Sequence, residues 1–551
     1  MHSVIWLTSD RLVWLEAAHT KAATADAGAH VGRQHHVHGV SSQAALLHPP
    51  AALKPAICSE AIRLDGGYHQ KSSATLPLLA APHAPVPHRY GEWDRSCTRQ
   101  VLTGCGNRDQ QHRRLVMRRP RRPGLVSGAI RDDRNLFDDS MLYAFVGAGE
   151  AMREASGASA RVGSLDGLRG VAALVVVVNH VMVTGVTFAR VADRSGRAAP
   201  LSFEWWFSYT PLHLFWGGTE AVFIFFILSG YVLTGPTLKS GFSWLVYYPK
   251  RLLRLYLPVW ASLCLAALTS LIVVRHVVPG GSWWVNAHGP LDVSSALVSA
   301  MLLGPIDFLN NPLWSLAWEM WFSLLLPFYI VICQWGAKTV SRTIAVLALL
   351  GATMAAGSFA DSNALRYLPM FALGVLIYLH RDRFNKVSER IGDRQWVYAA
   401  ALTAGILLLT SYWIAQAHPL FPGAIVSAGR IAQVAGAVLF VLLAIYWSSA
   451  RAFLTTPAIR WLGQISFSLY LTHDAVVIST TLLLGGQPPV WVTLLIALPV
   501  ALLLAEVFFR LVEKPSHELA KLVGARIQIR QDRHAQEICM EQDTMKSRVG
   551  G

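Results

Sequence analysis

The sequence predicts an all-α polytopic membrane protein with about ten transmembrane helices. Both termini are expected in the cytoplasm, behind a largely disordered N-terminal segment. Three observations carry this. The 551 residues are 53% hydrophobic and only 15% charged, against about 25% charge in ordinary soluble domains, and the mean hydropathy is +0.38. The apolar residues fall in long blocks from Leu168 onward. The connections between those blocks alternate between basic and weakly charged.

The first 160 residues stand apart. They hold eleven of the twenty histidines and no sustained apolar period. His35, His36 and His38 resemble a metal tract, and Arg113 to Pro123 a nucleic-acid patch. The first lacks an ordered ligand set, and the second lacks aromatic interleaving. The chain start has no basic n-region followed by an apolar core, so it is a poor signal peptide. Residues 1–160 are expected to be a disordered or spurious extension, with the biological start at Met141 or Met152. A transmembrane domain over 161–518 and a charged cytoplasmic tail over 519–551 follow. The six cysteines lie at neither metal nor disulfide-framework spacing, and no metal site is expected.

Apolar runs place helices near 168–188, 214–236, 252–274, 313–334, 343–359, 365–379, 396–414, 425–447, 465–484 and 490–512. The run from Ser294 to Gly304 is too short to span and reads as re-entrant or interfacial. Connections 2–3 (Lys239, Lys250, Arg251, Arg254), 4–5 (Lys338, Arg342), 6–7 (Arg381, Arg383, Lys386, Arg390, Arg394) and 8–9 (Arg451, Arg460) are basic, as is the tail. The alternate connections are poorer in Lys and Arg. This is the positive-inside pattern, and it accounts for much of the +15 net charge without nucleic acid.

Several polar residues are costly where they fall. Arg169 and His180 are eleven positions apart on the first helix, hence on one face and roughly 16 Å apart along the axis. With Arg169 at the cytoplasmic edge, His180 lies near the middle of a ~30 Å hydrocarbon core. An ionisable group there costs on the order of 2.5–3.5 kcal/mol and marks a functional candidate. Taken alone, Arg169 also fits a snorkelling interfacial anchor. Asp166 lies one turn before it.

The second helix carries Glu220 and the small-residue step Ser229-Gly230, which allows close helix approach. Arg251 and Arg254 are neighbours on the face of the third helix, and forked guanidiniums at a cytoplasmic edge suit phosphate. Glu319 sits in the fourth helix among Trp314, Trp318 and Trp321. Ser466, Tyr470 and His473 form a polar stripe on the ninth, which puts His473 about as deep as His180. Two midplane histidines suggest a water-filled chamber. Glu513-Lys514-Pro515 reads as the terminator of the tenth helix.

Six segments in order resemble the acyltransferase 3 family. They are LDGLRG with His180 ten residues on, FFILSGYVL (Phe225 to Leu233), RLLR (Arg251 to Arg254), NPLWSLAWE ending at Glu319, SFSLYLTH (Ser466 to His473) and VEKP (Val512 to Pro515). The resemblance spans about 164–518. One departure is Trp318, where the family commonly has a smaller residue. Another is the lack of the C-terminal hydrolase-like domain fused in some members.

The resemblance implies a multi-pass enzyme of the cell inner (plasma) membrane that moves an acyl group, usually acetyl, from cytoplasmic acyl-CoA. The acceptor would be a carbohydrate or lipid-linked glycan hydroxyl. It implies that Arg169, His180, Arg251 and Arg254 are essential. On this reading the arginines bind the donor phosphates and His180 acts as base, since imidazole titrates near neutrality. Glu319 or Asp166 orients a partner, and His473 holds the acceptor or lines the chamber. A transporter or flippase, with the histidines and glutamates relaying protons, is the alternative. The chain shows no paired half-helices or inverted repeat to support it.

Overall fold

In the computed structural model of the chain the described residues are 163–549, except 305 and 419–422. The expectations for residues 1–160, Met141 and Met152 included, lie outside them. Every regular element among the described residues is helical. In order these are α1 (Gly163–Met182), α2 (Val186–Ala192), α3 (Phe203–Tyr209), α4 (Gly218–Thr237), α5 (Trp244–Ile272), α6 (Trp283–Ala287) and α7 (Val293–Met301). Next come α8 (Leu313–Ala337), α9 (Val340–Phe359), α10 (Asn363–Leu379), α11 (Arg381–Ile391), α12 (Gln395–Ala417) and α13 (Gly423–Tyr446). The last are α14 (Ser448–Leu454), α15 (Pro457–Leu483), α16 (Val490–Phe508) and α17 (Lys514–Val549).

Eight helices are long and apolar enough to cross a membrane: α1, α4, α5, α8, α9, α12, α13 and the run that begins at α16. The protein is a multi-pass membrane protein. Two of the ten expected spans differ in kind. α10 has only 17 residues, and α15 has 27 but carries Ser466, Ser468, Thr472, His473, Asp474, Thr480 and Thr481, all buried. Such a helix faces protein rather than lipid, so its polarity is satisfied internally. α9 is the opposite case, with Ile344, Leu347, Leu349 and Phe359 all exposed as a lipid-facing surface requires.

Two glycine crossings set the register of the bundle. A Cβ at Gly170 would lie 2.5 Å from the Gly463 nitrogen, and one at Gly463 would lie 2.4 Å from the Asp166 carbonyl oxygen. The backbones of α1 and α15 therefore touch. Ten residues further along each helix His180 meets His473, so the two helices run parallel in step. The second crossing uses the small-residue step in α4, where a Cβ at Gly230 would fall 2.0 Å from the Phe371 carbonyl oxygen on α10. Phe226 stacks near Phe371 and Tyr231 near Tyr378, so this pair also runs parallel. α10 and α15 thus lie in step beside helices that cross.

Two helix boundaries depart from expectation, and one short run takes a definite form. α1 stops at Met182 rather than near 188, because Gly185 is extended (φ −76°, ψ 131°) and starts α2 as a separate helix. The Ser294–Gly304 run forms the nine-residue α7, which lies along α5 through Tyr256 Oη to the Met301 carbonyl (2.6 Å) and Trp260 Nε1 to that of Ala300 (3.1 Å). Asp292 caps it, and the Ser295 and Ser294 hydroxyls with the Ser294 N–H hold that carboxyl down to about 2. The Glu513-Lys514-Pro515 step does not end the last helix. A π-helical turn, Phe509–Glu513, leads straight into α17 of 36 residues. The widened turn absorbs the N–H that Pro515 lacks, so the charged tail begins as a continuation of the helix.

Candidate active site

Two cavities occupy the bundle, one at the Arg169 end and one toward the opposite end. The first is about 320 Å³ and is lined by Asp166, Arg169, Ser229, Arg251, Arg254 and Glu319, with Glu513 and His517 at its rim. α1, α4, α5 and α8 each contribute to it. Arg251 Nη2 pairs with Glu319 Oε1 and its Nε donates to Ser323 Oγ at 3.2 Å, while Ser229 Oγ donates to Glu319 Oε1 at 3.1 Å. Glu319 therefore clamps Arg251 between α5 and α8. Among the described residues, no carboxylate lies within ion-pair distance of Arg169 or Arg254. Arg169 and Arg254 therefore face the cavity without a direct ion pair, beside the clamped Arg251 and with Asp166 and Glu513 in the same lining, a set of forked donors of the kind that suits an anion.

The second cavity, about 260 Å³, is lined by His180 and by Asn179, Trp284, Trp314 and a group around Glu220 and His213. Its floor is a chain of buried histidine contacts. His473 Nδ1 is 2.9 Å from the Leu469 carbonyl and must carry its proton there. His473 Nε2 is then an acceptor, and at 2.8 Å it accepts a hydrogen bond from His180 Nδ1–H. His180 Nε2 is left with its lone pair, in the tautomer a base requires.

Beneath this pair lies a carboxylate, Asp474, fully buried. Its Oδ1 has no hydrogen-bond partner and sits 3.4 Å from His180 Nδ1. Its Oδ2 accepts from the Asn311 N–H at 3.1 Å and faces His288 Nε2 at 3.2 Å. His288 Nδ1 in turn donates to the Trp284 carbonyl at 2.7 Å. A buried cation, Arg275, reaches the Phe308 and Leu309 carbonyls at 3.5 and 3.4 Å, and burial pulls its guanidinium below the usual range. The segment between α5 and α8 thus delivers His288, Arg275 and Trp284 to the buried interior of the bundle.

Tyr470 borders both cavities. Its hydroxyl lies 2.7 Å from Ser315 Oγ, and its ring packs edge-on against Phe225 at 5.6 Å. The expected residues therefore separate into two groups. Arg169, Arg251, Arg254, Glu319, Asp166 and Ser229 gather in the arginine cavity. His180 and Glu220 line the other, with His473 directly behind His180.

Arg169 and His180 share a helix face but not a cavity, since Tyr470 from α15 stands at the boundary. Glu319 is not beside His180; its partners are Arg251 and Ser229. The carboxylate that does sit by His180 is Asp474, next in sequence to His473 and legible as an intramembrane charge. His288 carried no such signal, because it lies in a loop whose course the sequence leaves open. Among the described residues no group of three or more His, Cys, Asp or Glu side chains is placed to hold a metal ion.

With this geometry in view, residues 162–510 match the family model described as an acyltransferase domain. The chain is similar to Nodulation protein 10 of Rhizobium leguminosarum bv. viciae, 26% identical over 344 residues, covering 56% of this chain and 85% of that protein. It is similar to the peptidoglycan O-acetyltransferase OatA of Listeria monocytogenes, 23% identical over 388 residues, 64% and 55% of the two chains. It also resembles the acyltransferase MdmB of Streptomyces mycarofaciens, 26% identical over 344 residues, 59% and 82%. The chain spans about half the length of the peptidoglycan O-acetyltransferase it matches. No solved structure matches it.

Proposed function

Because the chain belongs to the acyltransferase family whose domain it matches over residues 162–510, we propose that it is an integral-membrane O-acetyltransferase. It would carry an acetyl group from cytoplasmic acetyl-CoA to a hydroxyl of a cell-surface carbohydrate or lipid-linked glycan. The observation that carries this reading is the hydrogen-bond chain Leu469 carbonyl–His473–His180, which leaves His180 Nε2 free to act as a base at the wall of the cavity.

The donor enters at the arginine cavity. Its phosphates lie against Arg169, Arg254 and the clamped Arg251, with Glu319 as the positioning residue that aims Arg251. The basic connections flank this end of the bundle, which supports a cytoplasmic mouth. The thioester arm then passes Tyr470 to reach the histidine cavity. There the acceptor oxygen attacks the thioester carbonyl carbon while His180 Nε2 takes its proton. The tetrahedral intermediate collapses with cleavage of the C–S bond. The departing thiolate recovers the proton from His180, giving an acetyl ester and CoA. Asp474 Oδ1, at 3.4 Å from Nδ1, compensates the imidazolium between the two steps. The indole N–H of Trp284 is buried in the same wall with no partner, a donor suited to the carbonyl oxygen as it gains charge.

Radiolabelled acetyl-CoA and acetyl-pantetheine, given to membranes with and without the protein, test the scheme. His180→Ala should lower transfer by on the order of 10²–10⁴-fold at equal protein level. Arg254→Ala should raise the KM for acetyl-CoA by about ten-fold or more and leave that for acetyl-pantetheine, which lacks the nucleotide phosphates, near wild type. Wild-type transfer by His180→Ala would remove the base assignment. An equal KM effect on both donors would remove the phosphate assignment.

A further inference from the structure

The end of the histidine cavity away from His473 holds a second polar cluster, outside the proton-transfer chain. Glu220, in the first turn of α4, is 3% exposed. Its Oε1 accepts from Trp413 Nε1 at 2.8 Å and from Gln433 Nε2, which ties α4 to α12 and α13. Structural duty ends with that oxygen. Oε2 is buried with no hydrogen bond.

Beside it is His213, 1% exposed, and neither of its ring nitrogens has a hydrogen-bond partner. Its Nε2 is 3.7 Å from Glu220 Oε2, beyond hydrogen-bond length. Its ring stacks on Trp413 at 4.3 Å. Room for the carboxylate depends on Gly217, where a Cβ would lie 2.9 Å from Glu220 Oε2. Buried polar atoms in native proteins are nearly always partnered. Glu220 Oε2 and His213 Nε2 have only their 3.7 Å contact with each other and His213 Nδ1 has none, so three polar atoms without a hydrogen bond converge on a cavity wall.

The chemistry of that wall selects the ligand. Oε2 can only accept, so it calls for O–H or N–H donors, and an imidazole nitrogen can take or give one. The indoles of Trp216, Trp314 and Trp413 line the same wall. The charged groups there are Glu220 and Arg430, whose Nη2 donates to Tyr412 Oη at 3.0 Å and whose guanidinium lies 4.4 Å over the Tyr412 ring. One anion and one cation leave the wall near neutrality, with His180, His213, Tyr412 and Tyr470 as the other titratable groups.

We infer that Glu220 Oε2 and His213 form the acceptor subsite, which holds a neutral pyranose ring by a pair of its hydroxyls and presents a further hydroxyl to His180. This deepens the proposed O-acetyl transfer and rests on it for the role of the bound ring. A volume of about 260 Å³ fits one ring rather than an oligosaccharide, so a longer glycan would offer its terminal residue. A uronic acid would set its carboxylate against Glu220 and bind less well.

Saturation-transfer NMR on the full-length protein in nanodiscs, with methyl glycosides of glucose, mannose, N-acetylglucosamine and glucuronic acid, tests binding without turnover. At least one neutral glycoside should bind, and the glucuronide should be weaker. His213→Phe keeps the stacked ring and loses no internal hydrogen bond, so the fold should persist. It should weaken the neutral glycoside about ten-fold or more, and Glu220→Gln should act in the same direction. In acetyl transfer both variants should raise acceptor KM far more than they lower kcat. Failure of every neutral glycoside to bind, or binding unchanged in His213→Phe, overturns the subsite. Neutral-glycoside binding lost in the variants, with no acetyl transfer by the wild type, instead overturns the transferase reading and leaves a sugar-binding site.

Discussion

At the scale of single residues, Asp474 is where charge balance at the proposed base is decided. Its free Oδ1 faces the Nδ1–H that His180 already shares with His473. A positive charge formed on His180 in a buried chamber would otherwise be uncompensated. Asp474→Asn keeps the volume and a carbonyl for the Asn311 N–H but removes the anion. It should lower kcat by on the order of 10²–10⁴-fold with little change in donor KM. A kcat within a few-fold of wild type, measured on protein of equal thermal stability, would reduce Asp474 to a structural anchor. This residue also shows how far the site was legible. Arg169, His180, Arg251, Arg254, Glu319 and His473 stand out because each is costly in an apolar helix. Asp474 obeys the same rule one position after His473. His288 and His213 do not, because they lie in segments between spans and reach the chamber only through tertiary folding.

At the scale of elements, the α1–α15 crossing brings the two histidines of the proposed base together. Gly170 and Gly463 let the backbones touch, and ten residues on, about 15 Å at 1.5 Å per residue, the two imidazoles meet. Gly170→Ala would set a Cβ 2.5 Å from the Gly463 nitrogen and 2.7 Å from the Leu462 carbonyl carbon, both backbone atoms that cannot swing aside. Overpacking of this kind costs about 1–3 kcal/mol, and spreading the helices should separate His180 from His473. Thermal unfolding in nanodiscs and acetyl transfer should both suffer. Gly351→Ala on α9, where a Cβ meets nothing within 4 Å, is the control and should be neutral. Equal behaviour of the two variants would show that the crossing tolerates spreading. The spans themselves were legible because apolar length and positive-inside charge are local quantities. The break at Gly185, the folding of α7 along α5 and the π-turn before Pro515 were not, since each depends on what the neighbouring helix offers.

At the scale of the whole molecule, the proposed transfer across a bilayer requires the two cavities to face opposite sides, with Tyr470 between them. The arginine cavity lies at the end from which α1 and α15 start, and the connections at that end are the basic ones. The segments between α1 and α4 and between α5 and α8 close the other end over His180. If basic connections lie inside, donor and acceptor arrive from different compartments and meet at one histidine. Impermeant maleimide decides this on two exposed positions, Leu201 before α3 and Arg383 in α11, each replaced by Cys in a background with the native cysteines removed. Leu201→Cys should label on intact cells or spheroplasts, and Arg383→Cys only after permeabilisation. The reverse pattern would open the arginine cavity to the outside, where acyl-CoA is absent, and the cytoplasmic-donor scheme would fall even if His180 proved essential.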